Sequence, residues 1–144
     1  MPALVAADAT VIVAALVAWH ERHRAAASAI EATLARKSLV LPAPVIIESY
    51  ATLTRLTDDY RLPHPDAFDL LRNTFASARM AGTRTRDTWP LLRQCSVDAI
   101  GGNAAYDAMI VSMARDAGAK TLLTFRREEL ERVAGAGIEI VEPV

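Results

Sequence analysis

Asp8, Glu48 and Asp107 each stand against apolar residues: Leu4–Ala7 runs into Asp8, Val45-Ile46-Ile47 precedes Glu48, and Ala108–Val111 follows Asp107. A carboxylate in such surroundings is poorly solvated, and leaving it unpaired is costly. Three that converge also repel one another unless a cation stands among them. Hard divalent ions, Mg²⁺ or Mn²⁺, take oxygen ligands of this kind. They lower the pKa of a bound water and neutralise charge developing on a phosphodiester. Each acid also has an ordinary use. Asp8 can cap a helix, Asp107 can answer the dipole of a helix start, and Glu48 can sit on a partly exposed helix surface.

The elements that must position these residues can be read from apolar runs and their punctuation. Leu4–Ala7 is a short strand ending at Asp8, followed by a helix over Val11–Trp19 and another over Ala25–Arg36. Ser38–Leu41 is a second strand. Pro42 ends it, and Pro44 opens a helix to Leu56. A helix follows over Asp66–Ala78, then a third strand over Met80–Arg86 and a helix over Thr88–Val97. Gly101-Gly102-Asn103 interrupts the chain, with Asn103 placed to cap a helix over Ala104–Ala117 that Gly118 closes. Lys120–Thr124 is a strand, Glu128–Val133 a short helix, and Ile138–Val141 the last strand. Strands alternating with helices predict an α/β fold with a mostly parallel sheet covered on both faces. Such sheets bind ligands beyond the C-terminal ends of their strands, which is where Asp8 falls.

Composition narrows the rest. The 144 residues fit a single domain over 1–144 with a substantial core. Val11–Trp19 is too short to cross a bilayer, and the N-terminus lacks the basic segment of a signal peptide. One cysteine, Cys95, excludes an internal disulfide framework and fits a cytoplasmic location. The net charge of −1 gives no overall pull toward nucleic acid. Fourteen of the sixteen cations are arginine, the better fork for phosphate, although GC-rich coding gives the same bias.

Three segments together resemble PIN-domain ribonucleases, specifically the VapC-type toxins: ALVAADATVIVAAL around Asp8, LPAPVIIESYATLTRL around Glu48, and NAAYDAMIVSMARDAGAKTLLT from Asn103 to Thr124. They span nearly the whole chain; residues 57–95 are poorly diagnostic. The resemblance implies a five-stranded parallel sheet in an α/β/α sandwich. It also implies Mg²⁺- or Mn²⁺-dependent hydrolysis of RNA, homodimerisation and a cognate antitoxin protein. Carried onto this sequence, Asp8, Glu48 and Asp107 are the metal-centred carboxylates and Thr124 the hydroxyl lining their pocket. Asn103, four residues before Asp107, is an accessory candidate.

One position departs from the pattern. The family's fourth acid aligns with Arg126, which cannot ligate a metal. Arg126 can grip substrate phosphate or pair with one of the acids, and Glu128 or Glu129 can turn into the vacated place. A catalytically impaired PIN fold that binds RNA or a partner protein is the competing reading. His20, Glu21 and His23 look like a ligand cluster but lack a third or fourth partner at a recognisable spacing, so they read as a polar helix end. Gly101-Gly102 matches no phosphate-binding loop.

Overall fold

The computed structural model describes residues 2–144. Five strands form one sheet: β1 (Leu4–Ala7), β2 (Leu39–Pro42), β3 (Arg79–Ala81), β4 (Ala119–Leu123) and β5 (Glu139–Val141), in the order β3-β2-β1-β4-β5. Every neighbouring pair is parallel. β1 is therefore central, and the chain builds outward from it twice: first through β2 to β3, then, after returning, through β4 to β5.

Seven α-helices make the crossovers: α1 (Ala9–Leu16), α2 (His23–Ala35), α3 (Ala43–Thr54), α4 (His64–Thr74), α5 (Thr88–Val97), α6 (Asn103–Asp116) and α7 (Arg127–Ala134). Successive strand residues point to opposite faces of a sheet, and the two cores obey that alternation. Ala7, Leu39, Leu41 and Leu123 pack with Val11, Ile12, Ile30, Val45, Leu53 and Leu71 of α1–α4. Ala6, Val40, Leu122 and Ile140 pack with Val111, Ala114, Leu130 and Ala134 of α6 and α7. The two inner strands β1 and β2 are uniformly apolar because both faces are covered. The layers are those of an α/β/α sandwich, as expected.

Several boundaries differ from the sequence reading. The third strand is Arg79–Ala81 rather than Met80–Arg86. It is an edge strand with one neighbour, and beyond Gly82 the chain turns into a single 3-10 turn at Thr85–Asp87, where the Arg84 guanidinium pairs with Asp87 at 2.9 Å. The first helix stops at Leu16, because Val17 adopts extended geometry and the His20 ring accepts the Arg22 N–H in the turn before α2. Pro42 does not end β2 from outside but is its last residue, in register with Ala81. Gly102 at φ +59, not Asn103, is the N-cap of α6, so Asn103 is the first helical residue. Gly118 closes α6 as expected: at φ +95 it takes the left-handed conformation that lets the chain enter β4 at once. Among the described residues, no helix is long and apolar enough to cross a membrane.

Candidate active site

The C-terminal ends of β1 and β4 lie side by side at the point where the chain's two directions of winding diverge. An open parallel sheet leaves a crevice there, because the next connections run to opposite sides. The Asp8 N–H donates to the Leu123 carbonyl at 3.0 Å, joining the two strand ends.

Asp8 is buried and performs two tasks. As N-cap of α1 its Oδ1 accepts the Val11 N–H at 3.3 Å and the Thr10 hydroxyl at 2.6 Å. Its Oδ2 accepts the hydroxyl of Thr124, a fully buried residue 116 positions away, at 2.5 Å. The helix-cap role and a site role are thus not alternatives; the cap fixes the carboxylate at the strand end. Burial pushes the Asp8 carboxyl above its ordinary value. Hydrogen bonds from Thr10, Thr124 and the Val11 amide, with the charge of Arg126, draw it back only in part.

Thr10 and Thr124 each continue the network. The Thr10 oxygen accepts the Phe125 N–H at 3.0 Å, and the Thr124 oxygen accepts the Arg126 N–H at 2.8 Å. Both hydroxyls are committed as donor and acceptor, which fixes their direction. Thr124→Val is expected to destabilise the protein by about 2 kcal/mol, because it strips a buried hydrogen bond from Asp8 and orphans the Arg126 amide. Urea unfolding would measure this; unchanged stability would show that the network is slack.

Asp107 lies one turn into α6 and is buried. Arg126 grips it with both guanidinium arms, Nη1 to Oδ1 at 3.0 Å and Nη2 to Oδ2 at 2.9 Å. This fork is the main reason the Arg126 guanidinium is held even more firmly protonated than usual, and the charges of Asp107, Asp8 and Glu129 add to it. Glu48 is exposed on α3, where its Oε1 accepts Arg55 Nη2 at 3.0 Å.

Asp8, Glu48, Asn103, Asp107 and Arg126 all line one open cleft of about 1010 Å³. Asn103 contributes to its wall without a side-chain hydrogen bond among the described residues. Glu128 and Glu129 are exposed in the first turn of α7, where the dipole favours an acid, and neither lines the cleft. His20 and Glu21, set aside as a helix end, lie on the rim, while His23 donates its Nδ1–H to the Ala14 carbonyl at 2.9 Å. The sequence reading missed Thr10, whose place two residues after a capping aspartate is a usable signal. It also missed Arg22, which lies over the Phe125 ring at 4.2 Å, and Arg55.

A PIN-domain family model matches residues 5–136. The chain belongs to the PIN-domain family. Among curated proteins, this PIN domain is 33% identical over 111 residues to ribonuclease VapC27 of Mycobacterium tuberculosis, covering 77% of each chain. It is 29% identical over 123 residues to ribonuclease VapC40 of the same species, covering 83% of this chain and 84% of the relative. These relatives make it a PIN domain of the VapC type. Two solved structures share the fold: M. tuberculosis VapC20, described as a sarcin-ricin-loop-cleaving toxin (TM-score 0.61, 16% identity, 82% and 86% of the chains covered), and PAE2754 from Pyrobaculum aerophilum (TM-score 0.61, 20% identity, 96% and 84% covered).

The donor set of this PIN domain fits a hard divalent ion in kind, and its members share one cleft. It is all oxygen, and its most buried member has a raised pKa and only partial charge compensation. The acids do not close around one point. Among the described residues no three His, Cys, Asp or Glu side chains form a ligand set, since Asp107 faces Arg126 and Glu48 faces Arg55.

Proposed function

We propose that the protein is a metal-dependent endoribonuclease, the toxin of a VapC-type toxin–antitoxin pair, that hydrolyses RNA phosphodiester bonds. The observation that carries this reading is the buried Asp8 carboxylate, fixed by Thr10 and Thr124 at the sheet's switch point and opening into the cleft that Asp107 and Glu48 share. Asp8, Asp107 and Glu48 would hold the ion, Mg²⁺ with Mn²⁺ as a substitute; VapC nucleases generally use a divalent metal. When bound, it supplies a water of lowered pKa and charge compensation at the phosphodiester.

The protein's own groups do the positioning. Thr124 and Thr10 hold both Asp8 oxygens in place, so the carboxylate needs no reorganisation when substrate enters. Arg22 and Arg55 on the cleft wall offer forks for the phosphates flanking the cleaved bond. Tyr106, exposed at the same wall, offers a ring on which an unpaired base can stack. An antitoxin protein would close this cleft from outside, and the active form would be a cytoplasmic homodimer of single-domain chains.

A specific observation favours the competing reading of an impaired PIN fold that binds RNA or a partner protein: Asp107 is already paired with a cation of the chain itself. Cleavage of single-stranded and total cellular RNA by purified protein, with Mg²⁺, Mn²⁺ or EDTA, separates the two. Cutting in either ion that stops in EDTA is expected. Tight RNA binding without cutting in any condition, by protein shown to be folded, would overturn the enzyme in favour of the binder.

A further inference from the structure

We infer that Arg126 is an internal counter-ion that competes with the metal for Asp107, so that loading of the site is an exchange of one cation for another. This rests on the metal-site reading above and adds to it a specific device for holding the metal-free site together.

Three observations lead there, and the geometry of the fork carries them. First, the fork takes one N–H on each Asp107 oxygen. Free lone pairs remain, but a divalent ion using them would sit against a guanidinium whose charge nothing can remove, since arginine does not deprotonate in proteins. Second, Arg126 is electrostatically coupled to both buried acids: Asp8 and Asp107 each stabilise its charge, and its charge in turn stabilises the ionised Asp8. That is the work a metal does for converging carboxylates. Third, local structure gives no reason for an arginine here. Arg126 is the N-cap of α7 but makes no side-chain cap, and a cation at a helix N-terminus is opposed by the dipole. Its partner lies across the cleft.

The geometry also provides an exit. The Arg126 backbone is pinned through its N–H on Thr124, which is fully buried behind Asp8 and does not itself line the cleft, whereas the Arg126 side chain is 41% accessible against 11% for Asp107. The guanidinium can swing into solvent while the main chain and the Asp8 network stay in place. In the metal-free protein it neutralises the acids; on loading it is released at the rim, on the side from which a phosphate would enter.

The test is Mn²⁺ binding followed by calorimetry and by the electron paramagnetic resonance of free Mn²⁺, on wild type, Arg126→Gln, Asp8→Asn and the Arg126→Gln/Asp8→Asn double variant, with no RNA present. Arg126→Gln is expected to bind Mn²⁺ at least roughly tenfold more tightly than wild type, the scale of one charge-assisted hydrogen-bond pair, and the double variant is expected to lose that gain. Arginine side-chain NMR on wild type gives a second readout independent of how the variants fold: the Arg126 Nε signal shifts toward that of a freely solvated side chain as Mg²⁺ is added.

Equal or weaker Mn²⁺ binding by Arg126→Gln, or an Arg126 signal unmoved while the site fills, would overturn the exchange. If binding still depends on Asp8 in that case, the metal site stands without it. If no variant shows Asp8-dependent binding, the metal reading falls together with the exchange.

Discussion

Asp8→Asn is expected to lower RNA cleavage by roughly a thousandfold or more while making the metal-free protein more stable at neutral pH. The two effects share one cause. The carboxylate is buried at the crevice floor, and desolvation raises its pKa despite three hydrogen bonds and the nearby Arg126 charge. Asparagine keeps the acceptor for the Val11 amide and Thr10, so the cap survives; the Thr124 hydroxyl loses its acceptor, a cost the relief from burying a charge must exceed. What disappears is the anionic oxygen that a metal or a developing positive charge requires.

The sign of the stability effect comes from linkage. A carboxyl with a folded-state pKa above its unfolded value of about 3.9 contributes most favourably when protonated. That contribution is full below the unfolded value and is lost as pH rises through the raised folded value. The variant should therefore gain on wild type as pH rises from about 4 to 7 in EDTA. Thermal unfolding across that range, alongside a cleavage assay, provides the check. A variant that cuts RNA at the wild-type rate would remove Asp8 from the chemistry. One that is less stable at pH 7 would show that the hydrogen bonds outweigh the desolvation.

Leu122→Ala should produce the largest loss of stability. Leu122 is fully buried on β4, in register with Ala6 on β1 and Ile140 on β5. It belongs to the core formed with Val111, Ala114 and Leu130. Strand neighbours on both sides and helices on its face leave little freedom to collapse into the space vacated, so a cost of about 3 kcal/mol and a fall in the unfolding midpoint of roughly 10 °C are expected. Ile47→Ala is the matching control: its side chain is 69% exposed, and its effect should stay within about 0.5 kcal/mol. A Leu122→Ala loss as small as that of the control would mean that β4 is not the rigid neighbour of β1 on which the site depends.

The centre of the parallel sheet is legible in the sequence because β1, β2 and the end of β4 are covered on both faces, which makes them apolar runs that end abruptly at Asp8, Pro42 and Thr124. The edge strand is harder to delimit because Met80–Arg86 has neither property. Two of the three residues of β3 are exposed, and the segment after Gly82 is held by the Arg84–Asp87 ion pair rather than by the sheet. In the site, the meeting of the strand ends is a consequence of strand order and the rule of the switch point. Side-chain partners are not. The Arg126 fork spans 19 positions and reaches across to another helix, so no periodicity announces it, whereas Glu48 and Arg55, seven residues apart, fall on one helix face. Thr10 is half visible: its place after a capping aspartate marks it, but only the fold brings the Phe125 amide against it.

The bond between Thr124 and Asp8 also carries information about time. Asp8 follows β1 directly, yet its buried partner Thr124 is made 116 residues later. Until the chain has grown past residue 124, β1 lacks one of its two sheet neighbours, and Asp8 lacks both Thr124 and the fixed strand end beneath its amide. A half-synthesised chain therefore has no crevice.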